Sequence, residues 1–215
     1  RLLQEKVSRA ERLSSLGRMM ASLAHQIRTP LSTAMLYAGH LTQNSFEESL
    51  RVPIAEKLLS RLTHLEHQIR DMLVFAKGDS RLAEKLGVSD FVEALQQAIE
   101  PVCLNAGVVC DWSINDINKV IMCNKETLVG ACLNLINNSI EAGANAKQKN
   151  LRISVAVVAE GDDSISLTVA DNGPGIPSSN MNKVFEPFYT TKPQGTGLGL
   201  AVVQAVIKTH NGQFN

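Results

Sequence analysis

The apolar residues of this chain change their spacing part-way along, and that change sets what the chain can fold into. Leu13, Leu16, Met20, Leu23, Ile27, Leu31, Ala34 and Leu41 step mostly by three or four, which aligns them as one stripe on a helix. One long helix is expected from residue 1 to about residue 43. Gln43–Ser49 interrupts the stripe and reads as a connection. Pro53 suits the first turn of a second helix; Leu58, Leu62, Leu65, Ile69, Met72 and Ala76 form its stripe, and Gly78 is its stop. A hairpin of two helices cannot enclose both seams, and a second copy of the chain closes them as a four-helix bundle. A homodimer through residues roughly 8–78 is expected.

From about residue 80 the spacing shortens and mixes. Helices are expected at Ser89–Asn105, Lys125–Ala144 and Leu198–His210, with β-rich runs at Val108–Ile114, Lys119–Cys123, Leu151–Ala159 and Ser164–Ala170. Glu160-Gly161-Asp162-Asp163 hinges the last two. This pattern describes an α/β sandwich domain. Gly212-Gln213-Phe214-Asn215 looks like the start of a further strand, so C-terminal strands are expected beyond it. The division is residues 1–79 for the helical hairpin, with 1–15 an incoming signalling helix, and 80–215 for the sandwich.

Lys+Arg and Asp+Glu both number 21, so no excess of positive charge points to nucleic acid or an anionic membrane. No apolar run approaches the ~20 residues of a spanning helix, and the charges throughout residues 1–18 exclude a signal peptide. Cys103, Cys110, Cys123 and Cys132 lack C-x-x-C spacing. Buried, reduced thiols in a cytoplasmic protein are expected, without metal binding at these cysteines.

His25 lies two residues from Leu23 and from Ile27, so at ~100° per residue it points away from the stripe. Arg28 and Thr29 share its face, and Pro30 removes the backbone donor for the Gln26 carbonyl. A neutral imidazole so placed is an accessible nucleophile for phosphorus. His40, His64 and His67 lack that context.

The second half carries the parts of a nucleotide pocket. Asp171 ends an apolar strand and offers a carboxylate to an exocyclic amine. Gly173 and Gly175 let the backbone turn beside a flat base. Asn134 and Asn138, one turn apart on a helix, present carboxamide oxygens that can complete a Mg2+ shell of phosphate and water. Gly195-Thr196-Gly197-Leu198-Gly199-Leu200 leads into the last helix, whose N–H groups can approach phosphate oxygens. Between these motifs Pro177–Gln194 reads as a lid, from which Lys192 either reaches a terminal phosphate or stays solvated. Neither a Walker loop nor a dinucleotide fingerprint is present.

Together, H-Q-I-R-T-P-L, N-L-I-N-N-S-I-E-A, D-N-G-P-G-I, F-E-P-F-Y-T-T-K and G-T-G-L-G-L resemble the boxes of the two-component sensor histidine kinase core, over nearly the whole chain. The histidine box and lid are similar to those of the nitrogen- and flagellar-regulatory sensor kinases. The resemblance implies a dimeric hairpin followed by an ATP-binding sandwich of the histidine kinase/gyrase type. It implies that His25 accepts the phosphoryl from ATP and passes it to an aspartate on a response regulator receiver domain. Asn138 would hold Mg2+ with Asn134 beside it, Asp171 would read adenine, and Gly173, Gly175, Gly197 and Gly199 would shape the pocket and phosphate loop. Thr29 matches the position that orients water for dephosphorylating the regulator.

One position departs from that pattern. The family places Glu or Asp directly after its phosphoacceptor, and here Gln26 stands there. An amide oxygen can accept the imidazole N–H but supports an imidazolium less well, and general-base help is worth about 10²–10⁴-fold. Slow autophosphorylation, or base help from a carboxylate elsewhere, is the expectation. A gyrase-like ATPase clamp without phosphohistidine and a nucleotide-binding dimeric scaffold are the rival readings.

Overall fold

The structure, a computed structural model, describes residues 14, 17, 20–43, 47–77, 84–161, 164–192 and 195–214. Two compact units emerge: residues 1–78 together with 187–198, and residues 79–186 together with 199–215. The segment Pro187–Leu198 thus groups with the hairpin, although the chain order places it between parts of the sandwich. The expected signalling helix at 1–15 lies outside the described residues except for Ser14, which is helical.

In the first unit, α1 spans Met20–Leu41 and α2 spans Glu48–Lys77. Leu23 and Ala34 of α1 are buried, as its stripe requires, whereas on α2 the buried apolar residue is Phe75, next to the expected stripe, of which Leu62 and Ile69 are exposed. The second helix starts earlier than Pro53. Pro53 removes the donor for the carbonyl of Ser49, but both residues are exposed, so water can serve that carbonyl. An ion pair of Arg51 with Glu48 at 2.7 Å spans the same first turns. The Gly78 stop lies outside the described residues, although Lys77 is the last helical one.

The second unit begins with β1 (Glu84–Gly87) and α3 (Val88–Asn105). Next come β2 (Val109–Asn115), β3 (Val120–Cys123) and α4 (Lys125–Asn145). The chain then forms β4 (Arg152–Glu160), β5 (Ser164–Asp171) and α5 (Gly199–Thr209). A three-stranded sheet runs β2-β4-β5, with β2 parallel and β5 antiparallel to β4. β1 and β3 pair separately and antiparallel. β1 has no apolar alternation to announce it; it exists because its backbone groups pair with β3. Among the described residues, 212–214 form no strand; instead Phe214 meets Phe185 edge to face, with centroids 5.1 Å apart.

One core joins α3, α4 and the strands. Phe91, Leu95 and Ile99 of α3, Ile136 of α4 and Ile153 and Val157 of β4 are fully buried in a single cluster. Burying each large aliphatic or aromatic side chain stabilises the fold by about 1.5–3 kcal/mol. Inward residues of β4 alternate with exposed ones, as one covered sheet face requires. All four cysteines are free thiols, and burial pushes Cys110 and Cys132 up to about 12. Among the described residues no helix is long and apolar enough to cross a membrane.

Candidate active site

The sandwich builds its site from α4, the end of β5 and the start of α5. Asn124 caps α4, its side chain accepting from Thr127 N–H at 3.2 Å, a favoured N-cap arrangement. The backbone N–H of Asn124 in turn donates to His210 Nε2 at 2.9 Å, which ties the end of α5 to the start of α4. Asn134 and Asn138 follow on one side of α4, half-buried. Gly199, the first residue of α5, sits beside them. A Cβ there would lie 3.7 Å from Asn138 Nδ2 and 4.0 Å from Asn134 Cγ. The structure therefore brings the paired carboxamides to a helix N-terminus, where N–H groups and the helix dipole favour anions.

Asp171 is the last residue of β5 and is exposed. Its Oδ2 accepts from the buried Ser139 hydroxyl at 2.6 Å, and its Oδ1 accepts from Gly173 N–H at 2.8 Å. Gly173 has no room for a side chain, because a Cβ would lie 2.7 Å from Asp171 Oδ1. Asn172 fixes the turn from behind. Its Oδ1 accepts from Arg152 N–H at 2.8 Å and its Nδ2 donates to the Asn150 carbonyl at 3.0 Å. Each carboxylate oxygen of Asp171 keeps acceptor capacity after these bonds, so the pair can take an amine N–H. Gly175 adopts φ 72°, which suits glycine.

The hairpin unit holds the other expected residues. His25 is exposed on α1, and Thr29, also exposed, donates its hydroxyl to the His25 carbonyl at 3.2 Å. Gln26 does not take the expected part. Its Nε2 donates to the Gly195 carbonyl at 3.2 Å, and its Oε1 is buried with no partner. In this arrangement neither amide atom is bonded to the His25 imidazole. Phe188 closes a loop by donating its N–H to the Gly197 carbonyl at 2.8 Å. Both residues have left-handed backbones, at φ 69° and 66°, and any Cβ at Gly197 would collide with the Phe188 backbone. Phe75 meets Phe188 edge to face, with centroids 6.1 Å apart. Within the loop Lys192 N–H donates to Thr190 Oγ1 at 3.0 Å, and Leu198 N–H donates to Thr196 Oγ1 at 3.2 Å. The expected lid loses Pro193 and Gln194 to the undescribed residues.

Sequence reasoning passed over Ser139, Asn172 and His210. Ser139 carried a signal: a polar residue three positions beyond Ile136 falls on the core-facing side of α4, and buried polar groups need partners.

Two family profiles match, the His Kinase A (phospho-acceptor) domain over residues 15–81 and the Histidine kinase-, DNA gyrase B-, and HSP90-like ATPase over residues 123–215. The chain belongs to the sensor histidine kinases. It is 46% identical over its whole length to the sensor protein kinase FleS of Pseudomonas aeruginosa. Over 98% of its length it is 30% identical to the signal transduction histidine-protein kinase AtoS of Escherichia coli. It spans 52% and 34% of those two proteins. Among solved structures, histidine kinase ThkA in complex with response regulator protein TrrA matches with TM-score 0.69 and 23% identity. That match covers 98% of this chain and 60% of the other. Acinetobacter baumannii histidine kinase AdeS matches with TM-score 0.59 and 23% identity, over 86% of each chain. These likenesses establish the fold as a helical hairpin followed by a kinase-type α/β sandwich.

Proposed function

We propose that this histidine kinase core transfers the γ-phosphoryl of ATP to His25 and then to an aspartate of a response regulator. The observation that carries this reading is the Asp171 carboxylate held by Ser139 and Gly173, on the same helix–strand layer as two carboxamides beside the α5 N-terminus. That layer offers an acceptor to the adenine amine at one end and N–H groups to phosphate at the other. The exposed imidazole of His25 supplies the nucleophile. A ring nitrogen lone pair forms the N–P bond, the bond from γ-phosphorus to the bridging oxygen breaks, and ADP leaves. The imidazolium proton then passes to water or a carboxylate.

Asp171, Gly173 and Gly175 frame the base and Gly199 opens the helix that faces the phosphates; the family resemblance alone assigns Lys192, Thr196, Gly197 and Leu198 to the phosphates as well. The donor set fits Mg2+, since a carboxamide oxygen beside phosphates is a hard ligand; Asn138 would hold it, with Asn134 adjacent. When bound, that ion neutralises phosphate charge. Thr29 orients water for hydrolysis of the regulator's phosphoaspartate. Leu31, Met35, Leu59, Leu62 and Ile69 are large apolar side chains more than 40% exposed on the hairpin, and a second copy of the chain covers them. The domain division at residues 79–80 belongs to this proposal. So does a place among flagellar-regulatory kinases, which the identity with FleS supports.

Incubation with γ-labelled ATP tests the reading. The expected product is an acid-labile, base-stable phosphoprotein labelled at His25. Release of inorganic phosphate with no modified histidine would overturn it in favour of an ATPase clamp.

A further inference from the structure

We propose that Ser139 is a positioning residue that sets nucleobase selectivity, by holding the Asp171 carboxylate in the orientation that accepts an amine and repels a carbonyl. The inference rests on the reading of Asp171 as the adenine contact and assigns a role to a residue outside the recognised boxes' charged and amide groups.

Asp171 ends a strand and is exposed, so nothing in its own burial fixes its carboxylate. Its local tether is Gly173 N–H, only two residues along the chain. One donor pins one oxygen and leaves the group free to pivot about it. The second donor comes from another element: the Ser139 hydroxyl on α4, 32 residues away in sequence, reaches the other oxygen at 2.6 Å. Two donors on two oxygens fix the plane. Ser139 is itself only 8% exposed, and a buried hydroxyl that lost this acceptor would be left unsatisfied. The bond is short, as expected when a hydroxyl meets an ionised acceptor. It is also built on stiff supports, since Asn172 is bonded to Arg152 at the start of β4 and to Asn150 just before it.

An ionised carboxylate only accepts. Held in place, it matches the exocyclic amine of adenine and faces the corresponding carbonyl of guanine with like-signed charge. A site built around such a fixed polar group rejects the mismatched ligand strongly. A carboxylate free to pivot can swing aside or admit water, and the penalty on guanine shrinks while the bond to adenine weakens.

The test measures ATP and GTP binding and autophosphorylation for Ser139→Ala, Ser139→Thr, Asp171→Asn and the Ser139→Ala/Asp171→Asn double variant. Alanine exceeds serine in helix propensity, so the Ser139→Ala protein is expected to fold, and circular dichroism confirms it. Ser139→Ala is expected to raise KM for ATP about tenfold, with the loss falling on KM rather than kcat. Its ATP-over-GTP preference is expected to fall, and Ser139→Thr restores both. In the Asp171→Asn background Ser139→Ala adds little, because the two act as one unit. Equal losses for ATP and GTP in Ser139→Ala, or full additivity in the double variant, would overturn the inference and leave Ser139 a packing residue. Unchanged ATP affinity in Asp171→Asn would instead overturn the adenine assignment itself.

Discussion

The hairpin and the sandwich bury their apolar residues to very different degrees. In the sandwich, Val88, Phe91, Leu95, Ile99, Ile136 and Ile153 are each 0% exposed. On the hairpin, Met35 is 67% exposed, Leu59 66% and Leu36 59%. The sandwich closes its core with its own chain; the hairpin leaves a seam open. Nucleotide affinity should therefore be a property of the single chain, whereas His25, the proposed acceptor, stands on a part that a second copy would complete. Polar bonding follows the same division. Asp171 has two donors from its own unit, while His25 stands exposed on its helix.

The sharpest way to break this comparison is at His25. His25→Ala is expected to lower phosphohistidine formation by at least ~10³-fold while nucleotide affinity measured by calorimetry stays as it was. Retained labelling at another residue would separate the acceptor from the hairpin histidine. Next in size are two apolar substitutions. Ile136→Ala should cost the sandwich about 2–5 kcal/mol in denaturant unfolding. Leu62→Glu, at a side chain 43% exposed, should leave nucleotide affinity intact. It should weaken the dimer about 10²-fold in sedimentation equilibrium, because a hydrophobic contact is lost and a charge buried. A Leu62→Glu protein that remained dimeric at nanomolar concentration would place the second copy elsewhere.

Gln26→Glu comes third. A carboxylate supplies base help and should raise the autophosphorylation rate, by about tenfold, the low side of the usual range. It also replaces the donor that Gly195 now receives from Gln26. A lower rate in single-turnover kinetics would show that this donation outweighs the missing base. A last effect, small near neutral pH, concerns titration. Burial raises the Cys132 thiol from 9.0 to about 12 in the fold. The folded chain therefore holds this proton more tightly than the unfolded one. Its stabilising contribution is complete below pH 9 and declines as pH climbs from 9 toward 12. Urea midpoints across that range should fall, and Cys132→Ala should flatten the part of the fall due to this thiol.

The apolar spacing was enough to place both hairpin helices and most sandwich elements, because burial on one face leaves a periodic trace. It failed where structure rests on the backbone alone. β1 is held by pairing with β3, and its Glu84-Lys85-Leu86-Gly87 has no alternation to read. The start of α2 was hidden for a related reason: proline marks a first turn only when no exposed turn can precede it. At the site, Asp171 and the paired asparagines were legible because their chemistry is local to a motif. Ser139 and the Gln26 contact with Gly195 were not, since each joins residues far apart in sequence.

The bond from Phe188 N–H to the Gly197 carbonyl makes a noose of the residues between them. Its neck is fixed by two left-handed backbones and by a glycine that admits no substitute. Extra residues between Lys192 and Gly195 lengthen it at small entropic cost without shifting the neck, so related chains are free to vary in length there. Deleting or replacing Gly197 instead opens the knot. Evolutionary drift should thus accumulate at that one point of the noose and halt at Lys192, Thr196 and the two anchors.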